Sequence, residues 1–559
     1  MKQERSPNRS IFENEYLKKG SLIQNVVVLW ASISPSAVLL LPSCMKETGI
    51  ILGLLIMFFS CFVLFMTQFV LMKSAALLSA DNYGNTLLKA ILYKDSTDIK
   101  GQVNNDKEKE RLSVNTKVIA LFVNLPIFFA MAITLPCFLI IWCSCIEQLI
   151  PPISTKFTAS GISYNQIILM AFCAAVMFPF SLKKELQTTR HISWLSLIAG
   201  LLFAITVVQY YFYFGASLDR GKVVWWNADI KLLSCIKMLT VSCFAFSNHE
   251  NSPATAYELL NPTTNRILAL SSTVSISSFI LFSVITVFSY LTFGESTLQS
   301  VALNYDNEGT FLILSKVFLS ISNLVACTLS LHAAISSLSN IIIILKGNYY
   351  YDFDNKLFNQ PVNEIGIAGY NQFSPIETLC SSTNTYSRSS ISNTLDNIER
   401  HRYSLDFAEK NASISPDIPN MIDTSILSSL EDGKNKSNIL VSDKIKDLIN
   451  LDEEKKFSEI QTSVDTKARA VIVFLFLIFS IFLATNLQDL LLLVEVATGL
   501  FETIICLIFP VVVYLKLFKH VFVCEKYLSR PIFILFTLIC SFGCFTASIS
   551  AIFSVHRAH

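Results

Sequence analysis

Long apolar runs separated by short polar or charged turns set the pattern of this chain. A run of about 18 or more residues almost free of charge is long enough to cross a bilayer core as a helix. On that basis the sequence predicts eleven transmembrane helices, near residues 22–44, 49–79, 116–147, 163–182, 191–214, 231–258, 267–293, 310–345, 468–487, 491–517 and 530–555. A polar and charged segment over 1–21 precedes the first run and is expected to form a cytosolic tail. The expected organisation is that tail, spans 1–8 over 22–345, a cytosolic insertion over 346–466, and spans 9–11 over 467–559.

The insertion has two characters. Its first part (SSTNTYSRSSISNTLDNIERHRYS) is rich in Ser, Asn, Thr and Asp, which bury too little apolar surface to form a core, so it is expected to be disordered. Its last part (ILVSDKIKDLINLDEEKKFSEI) spaces Ile445, Leu448 and Ile449 as on one face of a helix. A solvated linker and a regulatory segment that docks a cytosolic partner are both open for 346–466.

Composition and charge sharpen this picture. The chain is 52% hydrophobic and only 15% charged, where soluble proteins carry about 25% charged residues. A net charge of +1 leaves no nucleic-acid footprint. Orientation follows from where the basic residues lie. Lys183, Lys184 and Arg190 follow span 4, and Lys516, Lys519, Lys526 and Arg530 follow span 10. On the opposite side, 295–309 holds Glu295, Asp306 and Glu308 without a basic residue, and 150–162 holds only Lys156. The amino terminus is therefore expected in the cytosol and the carboxyl terminus, after an odd number of spans, on the other side. The sequons at Asn8, Asn411 and Asn435 all fall on the cytosolic side and are expected to stay unmodified. The fourteen cysteines show neither CxxC pairs nor zinc spacing and read as small buried hydrophobes, so no metal site is expected. With only 17 glycines, Ser, Ala and Cys must supply most of the small contacts between helices.

Two spans are interrupted. Span 1 reads NVVVLWASISPSAVLLLPSCMKETG, with Ser32, Ser34, Pro35 and Ser36 in mid-membrane and Pro42 shortly after. Span 6 contains CFAFSNHENSPATAYELLN, residues 243–261. If spans 1–5 and 6–10 are repeats, the two breaks occupy matching positions, a pattern that points to the binding site of an inverted-repeat transporter. A break frees backbone amides and carbonyls, which is costly in hydrocarbon unless they line a wet or protein-enclosed cavity. Freed amides suit a carboxylate and freed carbonyls suit an ammonium or a small cation. Together they describe a pocket for a zwitterion.

Four stretches carry a family resemblance. FAFSNHENSPATAYELL, with His249 and Glu258, is similar to the sixth span of the amino acid/auxin permease family of amino acid transporters. FPFSLKKELQTTRHISWLSLIAG, with Pro179, Ser181, Leu182, Lys184 and Ser193, resembles that family's passage from fourth to fifth span. SYLTFGES (289–296) resembles its Gly-Tyr-x-x-Phe-Gly, with Ser289 in place of the first glycine, and TGLFETIICLIFPVVVYLKLF (498–518), with Gly499, Pro510 and Tyr514, resembles its tenth span. The resemblance implies an all-α polytopic membrane protein of LeuT type, a five-plus-five inverted repeat with spans 1 and 6 broken and one extra span. It also implies alternating access for amino acids, coupled to protons or sodium. One departure bears on substrate size: Pro35 and Ala37 stand ahead of Leu41–Pro42 where the family has Gly-x-Gly.

The candidate substrate contacts are Ser32, Ser34 and Ser36 on one side and Phe246, Ser247, Asn248 and His249 on the other. His249 is also a candidate for carrying a proton or for holding the break in place. In the fold the resemblance implies, hydroxyls of span 8 face the carbonyls of span 1 across a cation site, which makes Ser322, Asn323 and Thr328 candidate oxygen ligands. His332 is a further candidate for proton coupling. Glu495 and Glu502 lie seven apart on span 10, the spacing of one helical face, and ionisable residues at membrane depth are functional candidates. Glu502 lies deeper and is preferred as the coupling residue, while Lys237 either pairs with one of them or reaches the interface. No catalytic constellation occurs in the spans, and no second histidine follows His249–Glu250 at zinc-protease spacing, so no enzyme is expected. The expected function is a secondary active amino acid symporter with no cofactor beyond its coupling ion, H+ or Na+. Its expected partners are a small-molecule amino acid and the lipid bilayer, with no nucleic acid, and its membrane is the plasma membrane or a vacuolar or lysosomal type. The alternative is an amino acid sensor on the same fold that signals through 346–466.

Overall fold

The computed structural model describes residues 20–33, 37–92, 106–150, 163–182, 190–215, 221–227, 229–305, 309–345, 466–486, 489–518 and 530–558. All of them belong to one unit, Met1–Gly369 with Val464–His559; a second, Tyr370–Ser463, lies outside the described residues. Also outside are most of the tail, Ser34, Pro35 and Ser36, the insertion with Ile445–Ile449, the three sequons, and Lys183, Lys184, Lys519 and Lys526.

Among the described residues every regular element is helical. In chain order they are α1 (Leu22–Ser32), α2 (Leu41–Thr48), α3 (Ile50–Leu77), α4 (Tyr83–Leu92), α5 (Asp106–Glu147), α6 (Tyr164–Ser181), α7 (Arg190–Phe214), α8 (Leu232–Phe246), α9 (Ser252–Glu258), α10 (Thr264–Phe293), α11 (Thr310–Leu345), α12 (Thr466–Asn486), α13 (Leu490–Leu517) and α14 (Arg530–Ala558). Nine of these helices are long and apolar enough to cross a membrane by length and composition. A tenth crossing is the bent pair formed by Leu22–Ser32 and Ala37–Thr48, whose halves differ in direction by 49°. Of the eleven expected, the remaining one, span 6, is the pair α8 and α9, in which α8 is a shorter apolar helix of 15 residues.

Local chemistry explains both breaks. Ser21 caps α1 by accepting the Gln24 amide, and α1 ends where Ile33 turns extended. Pro42 sits in the first turn of α2, where its missing N–H is no loss. In span 6, Ser247 leaves the helix at φ −73° and ψ 136°, and Pro253 occupies the first turn of α9. Polar side chains and a proline at a first helical position end one helix and begin another in each span.

The packing has the symmetry of a repeat. Take spans 1–5 as α1 with α2, α3, α5, α6 and α7, and spans 6–10 as α8 with α9, α10, α11, α12 and α13. Equivalent spans touch: α2 with α8, α3 with α10, α5 with α11, and α6 with α12. Cross pairs come in mirrored sets: α1 on α7 and α8 on α13, α7 on α11 and α13 on α5, α3 on α8 and α9 and α10 on α1 and α2. Five crossings reverse the direction of the chain, so the second repeat runs through the membrane upside down relative to the first. The eleventh span, α14, packs on α8, α13 and α3 outside the repeat.

Span 10 departs from a plain α-helix. Ala497–Glu502 and Ile504–Ile508 form wide π turns, with i→i+5 hydrogen bonds, between α-helical ends. A wide turn advances each residue through a smaller angle, so the seven-residue spacing of Glu495 and Glu502 does not keep them on one face. Both are buried, but they meet different neighbours. Gly499 lies within these turns where α14 crosses, and an added methyl there would overlap Ser548 Oγ and the Cys544 carbonyl.

Candidate functional site

The span 6 break is held by α3. Gln68 Nε2 donates to Asn248 Oδ1 at 2.6 Å and to Ser252 Oγ at 3.1 Å, and Gln68 Oε1 accepts from Ser271 Oγ of α10 at 3.0 Å. Asn248 Nδ2 reaches the Leu29 carbonyl of α1 at 3.5 Å, just before the span 1 break. One glutamine on span 2 therefore aligns the break of span 6 against spans 1 and 7.

His249 is fully buried beside this network, with Nε2 2.8 Å from Thr67 Oγ1. The Thr67 hydroxyl has its own acceptors, the Leu64 carbonyl at 3.0 Å and the Val63 carbonyl at 3.2 Å. A hydroxyl has one proton to give: with it on a carbonyl, Thr67 accepts from a hydrogen on His249 Nε2, and with it on Nε2 the hydrogen lies on Nδ1. Nδ1 is buried and without a hydrogen-bond partner.

Glu502 stands on the other side of the break. Its Oε2 accepts from Ser247 Oγ at 3.0 Å and its Oε1 from Thr134 Oγ1 of α5 at 3.3 Å. The Ser247 hydroxyl also lies 3.1 Å from the Phe244 carbonyl, an alternative acceptor in its own helix. Glu250, inside the break, is a carboxyl close enough to act electrostatically on Glu502. Below the carboxylate, Tyr83 Oη of α4 serves the Ile505 carbonyl at 2.6 Å within the wide turns.

The other sequence candidates fall differently. The Ser32 hydroxyl bonds back to Leu29 O at 2.7 Å, and the Phe246 ring stacks on Phe282 of α10 with centroids 5.4 Å apart. Thr328 bonds back to Leu324 O at 2.8 Å, and the Asn323 amide donates to Phe138 O of α5 at 2.7 Å. Ser322 Oγ and Asn323 Oδ1 are buried without a hydrogen-bond partner, and His332 is half-buried. Glu495 has a buried, unpartnered Oε1 and feels the charges of Lys237 and Glu47 from α8 and α2. Among the described residues no group of His, Cys, Asp and Glu forms a metal site.

Sequence reasoning missed Thr67, Gln68, Thr134 and Glu250. It also passed over Lys316, a fully buried lysine of α11 whose Nζ donates to Tyr305 O at 2.6 Å and Gln148 Oε1 at 2.5 Å. With Lys46, which donates to Glu295 O at 3.1 Å, it fastens the segment between α10 and α11 across one end of the helices. At the opposite end Gly20 (φ +79°) brings its carbonyl to the Leu260 amide at 2.9 Å, tying the start of span 1 to the end of span 6. A lysine inside an apolar run was the available signal for Lys316. The hydroxyls and the glutamine gave none.

Two broken spans facing each other inside an inverted five-plus-five repeat make up a fold of LeuT type. The chain belongs to the amino acid/auxin permeases: the profile of the family described as "Transmembrane amino acid transporter protein" matches residues 18–554. It is 26% identical over 333 residues to the putative amino acid transporter AAT1 of Toxoplasma gondii, covering 58% of this chain and 41% of that protein. It is 23% identical over 340 residues to vacuolar amino acid transporter 5 of Schizosaccharomyces pombe, covering 60% and 73%. With vacuolar amino acid transporter 7 of Saccharomyces cerevisiae it shares 27% over 183 residues, 32% and 37% of the two chains. The match thus spans less than half of the first and third of these relatives. Among solved structures, variants of the manganese transporter of Eremococcus coleocola align over 96% of this chain and 94% of theirs, at 10% identity and a TM-score of 0.37.

Proposed function

We propose that the protein is a proton-coupled amino acid symporter that works by alternating access, with its substrate bound where the breaks of spans 1 and 6 meet. The observation that carries the choice of ion is Glu502, a buried carboxyl with one hydroxyl on each oxygen, in contact with the first residue of the span 6 break. An ionised carboxyl is an acceptor alone and a protonated one also donates, so one proton changes what it can hold. Of the span 8 oxygens that would serve sodium, Thr328 Oγ1 donates to the Leu324 carbonyl while Ser322 Oγ and Asn323 Oδ1 have no hydrogen-bond partner, so the choice of the proton rests on Glu502. For the substrate, His249 Nδ1, with the hydrogen on Nε2, offers an acceptor to an ammonium, and the backbone at the breaks offers amides to a carboxylate. The vacuolar relatives support a vacuolar-type membrane, whose acidic lumen would supply the proton, with the amino terminus and 346–466 in the cytosol. Neither the family nor the relatives lend support to the sensor alternative.

The test is reconstitution of the full chain in liposomes with labelled amino acids under imposed gradients. Accumulation driven by a pH gradient and indifferent to a sodium gradient is expected. Accumulation that follows sodium alone would overturn the choice of ion, and binding without accumulation would overturn transport.

A further inference from the structure

The hydrogen bonds inside the membrane sort the helices into two groups. Thr67, Gln68, Asn248, His249, Ser252, Ser271 and the Leu29 carbonyl join spans 1, 2, 6 and 7. Cys61 Sγ, bonded to Ser275 O, adds a second link between spans 2 and 7. A separate set joins spans 3, 4, 8 and 9. Asn323 reaches Phe138 O, Asn340 reaches Asn124 Oδ1 at 3.2 Å, Asn165 and Gln166 donate to Glu147, and Arg469 donates to Ser181 O. Glu502, on span 10, stands on the seam, with Thr134 on its span 3 side and Ser247 on its span 6 side.

We infer that Glu502 is a proton-operated latch between these two groups, tying them while ionised and releasing span 6 when protonated. This rests on the reading of Glu502 as the proton site. The atoms allow the release without leaving the Ser247 hydroxyl unpaired. A proton arriving from the aqueous side on Oε2 makes that oxygen a donor, and the Ser247 hydroxyl turns to the Phe244 carbonyl, already 3.1 Å away. Thr134 stays on Oε1, so the carboxyl remains attached to span 3 while span 6 is freed. The titratable groups that interact with Glu502 are Glu250 from the break, Cys137 from α5 and Cys506 from α13. Cys243 of α8 and Cys544 of α14 lie one step further, against Cys506.

The test uses full-length protein in liposomes, with a labelled mixture of the common L-amino acids as substrate and hydrogen exchange of the 247–252 amides as a readout that needs no transport. In the wild type, exchange over 247–252, taken relative to the intrinsic rate at each pH, rises as pH falls, with the same midpoint as uptake. Glu502→Gln is expected to lose the pH dependence of both. Thr134→Val removes a donor that favours the ionised carboxyl, so both midpoints should move to higher pH by about one unit, a tenfold change in proton affinity. Thr134→Ser keeps the hydroxyl and should restore the wild-type midpoint. If Glu502→Gln keeps the wild-type pH dependence of uptake, the proton-site reading falls and the latch with it. If Glu502→Gln loses that dependence while Thr134→Val leaves both midpoints in place, the proton site stands and the latch is wrong.

Discussion

Replacing Gln68 by leucine removes the strut that aligns the two breaks. The side chain is 2% exposed and makes three hydrogen bonds, to Asn248, Ser252 and Ser271. Ser252 keeps the Asn248 carbonyl at 2.8 Å as its acceptor, so it loses little. Asn248 Oδ1 and Ser271 Oγ are left buried without these partners, at about 1–3 kcal/mol each. Hydrogen bonds between membrane helices average about 0.6 kcal/mol in double-mutant cycles, which gives a floor of roughly 2 kcal/mol for three. Leucine returns part of the loss through apolar packing, so a net destabilisation of about 2–3 kcal/mol is expected. The assay is thermal unfolding of the purified full chain in detergent for Gln68→Leu, Asn248→Ala and the double variant. The melting temperature should fall by several degrees, and the cycle should show about 1 kcal/mol of coupling between the two positions. Because Asn248 then loses its alignment on the Leu29 carbonyl, KM for uptake should rise about tenfold. An unchanged melting temperature together with coupling within about 0.3 kcal/mol of zero would refute the reasoning.

Three further outcomes are expected. His249→Ala removes the unpartnered Nδ1 and should raise KM by about tenfold, the scale of one charge-assisted hydrogen bond; KM at the wild-type value would leave His249 only the task of holding the break. Gly499→Ala forces a methyl into Ser548 and the Cys544 carbonyl and should cost about 2 kcal/mol or more in thermal unfolding, while a wild-type melting curve would mean α13 and α14 separate freely. Lys89 donates to the carbonyls of Leu78 and Ser79, each at 3.2 Å, closing the end of α3. Burial lowers its pKa from the ordinary 10.5, so the unfolded chain holds that proton more tightly than the folded one. Its contribution to stability therefore rises as pH climbs through the folded value toward 10.5, a rise that Lys89→Met should lack in melting curves between about pH 8 and 11. Parallel curves for the two proteins would contradict it.

How far the chain could be read in advance depends on which interactions are local. The π turns of α13 illustrate the limit: Glu495 and Glu502 carry the spacing of one α-helical face, and the wide turns send Glu495 toward Lys237 and Glu47 and Glu502 toward Thr134 and Ser247. Hydroxyls were the least legible groups. Ser32 and Thr328 satisfy themselves on their own helices, an option open to any serine or threonine in a span, while Thr134 and Ser247 reach across.

The sequence by itself determined the all-helical membrane-spanning plan, the two breaks and the repeat they imply. Bilayer thickness and the need to pair every backbone amide act on each segment separately, so hydropathy, Pro42, Pro253 and the polar run around His249 were enough. Only the tertiary structure decided what the polar side chains do. Gln68 meets Asn248 across 180 residues of chain, Thr67 meets His249 across 182, and Thr134 meets Glu502 across 368. No periodicity encodes such partners. They exist because helix packing brings a donor and an acceptor to within about 3 Å in a place where neither can turn to water.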